Sequence, residues 1–222
     1  MRRNPIEIKW TSKLAYAVGI ITTDGNLSKD NRHVTLTSVD TQFIEVFKKC
    51  LDKNNRITLN PSSNISKKQG YRVQIGDVNL YDFLVKIGLF PNKSLTIGSL
   101  QIPDIYFRDF LRGHLDGDGS IIYYKDYYNT YLNPKYIYER LFVYFISASK
   151  KHVQWLRKEI QKLIHIKGNM SNQTWKRRKK STMYRLKFST KQAKIILNWI
   201  YYKPNLPCLV RKYLIAKPFL RN

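Results

Sequence analysis

Two aspartates carry the strongest chemical signal in the chain: Asp24, near the end of AVGIITTDG (17–25), and Asp118, near the end of LRGHLDGDG (111–119). Each is followed by glycine and preceded by an apolar stretch that reads as a helix running into the acid. A carboxylate at a helix C-terminus faces the negative end of the helix dipole, so a positive group is required nearby. A divalent cation answers that need. Hard cations prefer carboxylate and carbonyl oxygens, and Mg²⁺ keeps waters that can act at a phosphate. A single Asp-Gly pair is more often a helix stop followed by a turn. Here the pair occurs twice, each time opening the same succession of segments, and the duplication reverses that balance. Asp116 has Thr22 as its counterpart in the first copy, so an acid at that place is not a required ligand. An EF-hand reading of DGDGSI fails because Ile121 stands where the loop needs glycine.

The elements that must position these acids are themselves written twice. Tyr71-Arg72 followed by Pro91-Asn92 is matched, at the same interval, by Tyr184-Arg185 followed by Pro204-Asn205. VTLTS (34–38) leads into DTQFIEVFKKCLDKN, and YFIS (144–147) leads into ASKKHVQWLRKEIQKL. Each half therefore reads helix, strands, helix, strands, helix. Alternation sets Val34 and Leu36 against His33, Thr35 and Thr37, and Tyr71, Val73 and Ile75 against Arg72 and Gln74. Tyr184, Leu186 and Phe188 oppose Arg185 and Lys187 in the same way. One face of each sheet is expected to be apolar and covered by helices, the other basic or polar and open. Gly19 and Gly113 fall at equivalent places on the two motif helices, where a missing side chain lets helix axes approach until their ends meet. Thr23 and Gly117 extend that narrow stripe. Residues 97–105 join the halves, with Pro103 and Asp104 suited to a first helical turn. The second half carries one insertion, YYKDYYNTYLNPKYIYER (123–140), read as a long hairpin or surface loop, with a DNA-gripping element as the alternative.

Composition narrows the partner. Lys and Arg number 40 against 15 Asp and Glu, a net charge of +25. Such a chain calls for a polyanion, with nucleic acid first and an anionic membrane surface second. No apolar run approaches the roughly 20 residues of a membrane span, and MRRNPIEIKW lacks the apolar stretch of a signal peptide, which predicts a soluble intracellular protein. Cys50, Cys208, His33, His114, His152 and His165 show no zinc-ligand spacing, and the cysteines read as free thiols.

AVGIITTDG and LRGHLDGDG resemble the two copies of the motif that names the LAGLIDADG homing endonucleases, and the order of helices and strands extends the resemblance over nearly the whole chain. It implies an α+β fold of two tandem pseudo-symmetric αββαββα halves, 1–96 and 106–222. Their antiparallel sheets would form a saddle on double-stranded DNA, with the motif helices packed at the interface. It implies a monomer that cuts one phosphodiester on each strand, with Mg²⁺ as cofactor, Mn²⁺ as a substitute, and Ca²⁺ as an ion that binds without supporting cleavage. Asp24 and Asp118, with the carbonyls of Thr23 and Gly117, become the expected metal ligands. Lys93 matches the basic residue that family members often place near the scissile phosphate. Its repeat counterpart is Leu206, and Arg211 or Lys212 could substitute from farther along. Ser38 and Ser147 match the positions from which the family orders active-site water.

The expected DNA surface comprises Arg72, Gln74, Arg185 and Lys187, suited to paired hydrogen bonds with G and A in the major groove. The run Lys176, Arg177, Arg178, Lys179, Lys180 reads as a phosphate-gripping hairpin tip, with a nuclear-localisation signal as the competing reading. Two other functions fit a basic, duplicated chain: an intron RNA maturase of the same fold, with intron RNA as partner, and a non-cleaving DNA-binding regulator. An acid at both helix ends would repel phosphate, which favours cleavage over binding alone.

Overall fold

A computed structural model describes residues 8–60, 69–175 and 181–221. The chain begins with α1 (Ser12–Thr23), capped by Thr11, whose hydroxyl accepts from the Leu14 N–H. The hairpin of β1 (Gly25–Leu27) and β2 (His33–Ser38), the helix α2 (Thr41–Cys50), the strands β3 (Thr58–Leu59) and β4 (Tyr71–Gly76), and α3 (Val78–Lys86) complete the first half. The second half repeats this order with α4 (Asp104–Asp116), β5 (Ser120–Asp126), β6 (Tyr138–Ser147), α5 (Lys150–Ile164), β7 (Asn169–Trp175), β8 (Ser181–Ser189) and α6 (Thr190–Ile200). A further helix, α7 (Val210–Ala216), follows. The strands form two four-stranded antiparallel sheets, ordered β1-β2-β4-β3 and β5-β6-β8-β7. The architecture is α+β in two αββαββα halves. No helix of the described residues is long and apolar enough to cross a membrane.

Local chemistry explains the repeat. Asn92 and Asn205, the two asparagines of the duplicated Pro-Asn pairs, both adopt φ 58°. That left-handed conformation is one asparagine tolerates better than most residues, so each pair turns the chain sharply after α3 and α6. Helices α2 and α5 are amphipathic: Phe43, Ile44 and Phe47 on one, Val153, Leu156 and Ile160 on the other, are buried. Each starts on a side-chain cap, Asp40 and Ser149 respectively.

Helix α1 is buried on every side from Leu14 to Thr22, as an all-apolar helix must be, and α4 is what it packs against. At their crossing a β-carbon on Gly113 would lie 2.0 Å from the Tyr16 carbonyl oxygen, and one on Gly19 would lie 2.1 Å from the Phe110 carbonyl oxygen. Only glycine permits this separation, and it fixes the two halves to each other along the line of the motif helices.

The joining segment runs directly into α4. Asp104 already belongs to α4, with Pro103 at the cap position, so Asp104 and Ile105 leave the linker and open the helix. The remaining stretch is tied down by burial of Ile97 and Leu100 and by the Gln101 N–H donating to the Ile87 carbonyl. The tyrosine-rich insertion is a lengthened hairpin, with β5 and β6 paired from Ser120↔Tyr144 to Asp126↔Tyr138. Strand alternation holds on the covered faces, where Val34, Leu36, Val73, Ile75, Leu186 and Phe188 are buried. The open face of the first sheet is polar, with Arg72 and Gln74 exposed. That of the second differs from the expected basic or polar surface: Phe142, Tyr144 and Ile146 lie on it, half-buried, beside Arg185 and Lys187.

Candidate active site

Because α1 ends at Thr23 and α4 at Asp116, the two acids stand just beyond neighbouring helix ends: Asp24 caps α1, and Asp118 follows Gly117, the cap of α4. The approach is close. A β-carbon on Gly117 would fall 2.0 Å from Thr23 Oγ1 and 2.4 Å from Asp24 Oδ2, so the first half's acid rests on the backbone next to the second half's acid. The Thr23 hydroxyl donates to Asp24 Oδ2 at 2.9 Å. The Asp118 carboxylate makes no hydrogen bond among the described residues. Burial raises the carboxyl of Asp24 above the usual range, against the Thr23 hydroxyl and the nearby ammonium groups of Lys212 and Lys93. Burial, then repulsion from Asp24, pushes Asp118 up to about 6, again opposed by the two lysines.

Those lysines are the second feature of the site. Lys93, on a short 3-10 turn (Lys93–Leu95), is 5% exposed and donates to the Gly25 carbonyl. Lys212, on α7, is also 5% exposed and donates to the Gly119 carbonyl at 2.7 Å. Gly25 and Gly119 are equivalent in the repeat, each directly after its acid, so the two ammonium groups hold the same atom in each half. Lys212 reaches further, to the carbonyls of Leu115 and Asp116 at 2.7 Å and of Gly117 at 3.0 Å. It thereby closes the C-terminus of α4, where orphan carbonyls and the helix dipole both favour a cation. Burial lowers both lysines to about 8, against the pull of the nearby carboxylates.

Of the alternatives left open by the sequence, Lys212 therefore faces the site. Arg211 points outward toward Asp40 at 3.5 Å, and Leu206, the counterpart of Lys93 in the repeat, contributes no charge. The positive group required at the end of α4 is a side chain of the chain itself. The Gly117 carbonyl, an expected metal ligand, is one of its acceptors.

Asp116 shows how Lys212 is placed. It is 1% exposed, and its Oδ2 accepts from the Tyr16 hydroxyl and from the Leu209 N–H, both at 2.8 Å. Leu209 is the cap residue of α7, so this carboxylate anchors the helix that carries Lys212 and ties it to α1. Burial pushes Asp116 up to about 6. Its position inside the motif was visible in the sequence; its partners, far away in the chain, were not. The His114 and His152 rings are a further missed pair, with Nε2 atoms 3.2 Å apart and His152 Nδ1 donating to the Gly98 carbonyl at 2.8 Å. Burial lowers both imidazoles, His152 to about 4, so they act as neutral connectors between α4, α5 and the joining segment.

Ser38 and Ser147 end β2 and β6, and each hydroxyl accepts from the backbone N–H two residues on, Asp40 at 3.0 Å and Ser149 at 3.1 Å. Both serines finish the turn into the next helix. Arg72 and Gln74 pair in register with Thr37 and Thr35, while Arg185 and Lys187 pair with Ile146 and Tyr144. The basic run Lys176, Arg177, Arg178, Lys179, Lys180 lies outside the described residues.

The donor set suits a hard divalent cation. Two carboxylates from different halves converge, Asp118 without a hydrogen-bond partner among the described residues, and the charge of Asp24 raises the cost of ionising Asp118. Among the described residues no group of three or more His, Cys, Asp or Glu side chains gathers, so water and phosphate oxygens would have to complete the shell, which Mg²⁺ accepts readily.

No protein-family model matches the chain, and neither does any curated protein. Solved structures do. The meganuclease I-SmaMI bound to uncleaveable DNA matches with a TM-score of 0.59 at 11% identity, covering 96% of this chain and 88% of that one. The I-LtrWI LAGLIDADG homing endonuclease bound to target DNA gives 0.58 at 12% identity, with 94% and 89% covered. Full-length DUF199/WhiA from Thermatoga maritima gives 0.53 at 15% identity over 96% of this chain, which spans 63% of the WhiA structure. Identities this low show the fold alone. The chain has the two-halved LAGLIDADG fold, which homing endonucleases and WhiA share.

Proposed function

We propose that the chain is a site-specific endonuclease of the homing type that acts as a monomer on double-stranded DNA, hydrolysing one phosphodiester on each strand with a divalent cation. The observation that carries this reading is the meeting of Asp24 and Asp118 at adjoining helix ends, each followed by a glycine carbonyl held by a buried lysine. The net charge of +25 and the likeness to two endonucleases in complex with DNA support the substrate. Bound Mg²⁺, or Mn²⁺ in its place, would supply an activated water and neutralise charge at the scissile phosphate.

The chain's own groups divide the remaining work. Asp24 and Asp118 would hold the cation, and both must be ionised to do so; burial raises both carboxyls, so protons compete with the cation and cleavage should fall toward acid pH. Lys93 and Lys212 fix the backbone after each acid and set positive charge beside the place the phosphates must occupy. Ser38 and Ser147 keep their hydroxyl protons for a water on the acid side of each strand end. Arg72, Gln74, Arg185 and Lys187 face the bases from the open sheet faces. Two unlike halves in one chain need no palindromic site.

The test uses a duplex recovered by binding selection from random-sequence DNA. With Mg²⁺ both strands of that duplex should be cut, with short 3′ overhangs as the family resemblance implies, and chelation should stop cutting while binding persists. Tight binding with no cutting under any divalent cation would replace this reading with that of a non-cleaving DNA-binding protein.

A further inference from the structure

The two open sheet faces are equivalent in backbone and opposite in chemistry. The duplicated Tyr-Arg pairs set the correspondence: Thr35 and Thr37, paired with Gln74 and Arg72, stand where Tyr144 and Ile146 pair with Lys187 and Arg185. His33 likewise stands where Phe142 does. Strand β5 adds Ile122, opposite Phe142, and Tyr124, opposite Arg140, which are 44% and 47% exposed. The first sheet thus presents hydroxyl, amide, imidazole and guanidinium groups. The second presents a continuous apolar surface flanked by cations.

Open-face aromatics on a four-stranded sheet can stack unpaired bases. Three features turn this face away from that use. The Lys187 ammonium sits 4.1 Å from the Phe142 ring centroid, and so occupies the ring face that a base would need. Tyr124 is tilted against Phe142 by 43° and Phe142 against Tyr144 by 48°, so the three rings offer no common plane for stacking. Ile122 and Ile146 have no ring at all. What these groups can meet on a duplex is another apolar group, and the major groove offers one: the C5-methyl of thymine. Lys187 and Arg185 give the same face the positive charge that a duplex attracts.

We propose that the C-terminal sheet reads thymine through its methyl group, so that the half-site beneath it is specified by apolar contact. The half-site beneath the N-terminal sheet is specified by hydrogen bonds from Arg72 and Gln74. This asymmetry rests on the reading of the chain as a binder of double-stranded DNA.

Deoxyuridine in place of thymidine removes the methyl and leaves every base-pairing and hydrogen-bonding edge unchanged, so the protein needs no alteration. The probe is the duplex selected from random-sequence DNA, resynthesised with uracil in one half at a time and titrated with the full chain in Ca²⁺. The expected result is a loss of about fourfold in affinity for each contacted methyl in one half-site, with a much smaller loss in the other. The double variant Phe142→His with Tyr144→Thr, which installs the first sheet's residues at two of the five apolar positions, should narrow the difference between uracil and thymine versions, and an undiminished difference would count against the proposal. Equal losses in the two halves, no loss in either, or tighter binding of a single strand of the same sequence than of its duplex would each overturn the proposal while leaving DNA binding intact. Recovery of no duplex at all would overturn both this proposal and the reading beneath it.

Discussion

The two halves of the molecule meet the same demand by different routes. In the N-terminal half the ammonium that holds the carbonyl after the acid comes from one short turn, Lys93–Leu95, and takes one acceptor. In the C-terminal half it comes from α7, a helix with no counterpart in the first half, and takes four. That helix is in turn anchored by Asp116, whose own counterpart is Thr22. What the duplication keeps is a position in space, an ammonium on the glycine carbonyl beside each acid. The stretch of chain that supplies it is free to change. The sheets teach the same lesson in reverse, since their backbones coincide while their open faces diverge from polar to apolar.

The largest effect is expected where the halves touch. Gly113→Val should force a side chain into the Tyr16 carbonyl, which a β-carbon alone would approach to 2.0 Å. We expect a loss of about 3 kcal/mol or more from overpacking, seen as a melting temperature lower by roughly 6 to 12 °C. Gly98→Ala, where a β-carbon meets nothing within 4 Å, is the control and should leave melting unchanged. Equal effects from the two would show that the crossing does not lock the halves.

Loss of either buried lysine should cost less. Lys212→Met strands four carbonyls and Lys93→Met one, so urea unfolding should show losses of about 3 and about 1 kcal/mol respectively. Matching losses would contradict the account of Lys212 as the closure of α4.

The acids give an effect that depends on pH. A carboxyl raised in the folded state, as Asp118 is to about 6, favours folding while it stays protonated, and that advantage is lost as pH climbs from the usual carboxylate range through its folded value. Without divalent cations, Asp118→Asn should therefore melt above the unaltered protein at about pH 8 and converge with it below about pH 4. Mg²⁺ should raise the melting temperature of the unaltered protein and leave that of the variant unchanged. The smallest effect belongs to the hairpin extension, where Tyr128 and Tyr131 are 80% and 74% exposed. Replacing both by alanine should change stability by no more than about 0.5 kcal/mol.

Much of this was legible before any coordinates. The duplicated Asp-Gly and Pro-Asn pairs marked the halves because each pair does a fixed local job, ending a helix or turning the chain through a left-handed residue. Alternation in VTLTS and YRVQI exposed strand faces because polar and apolar residues take turns there. It failed for LFVYFI (141–146), where both faces are apolar and a period of two leaves no trace. The open aromatic face was hidden for that reason. Lys212 could be named only as an alternative, because the repeat register is lost after Asn205 and a buried lysine looks like a surface one in sequence. The partners of Asp116 lie at residues 16 and 209, distances that only folding closes.

The central claim is that each half contributes one acid to a shared site, and it is tested most directly by following each strand of the selected duplex separately, with its own end label, during reaction with Mg²⁺. Asp24→Asn and Asp118→Asn should each abolish double-strand cleavage while affinity measured without Mg²⁺ stays close to that of the unaltered protein. Full cleavage of both strands by either variant would contradict the account.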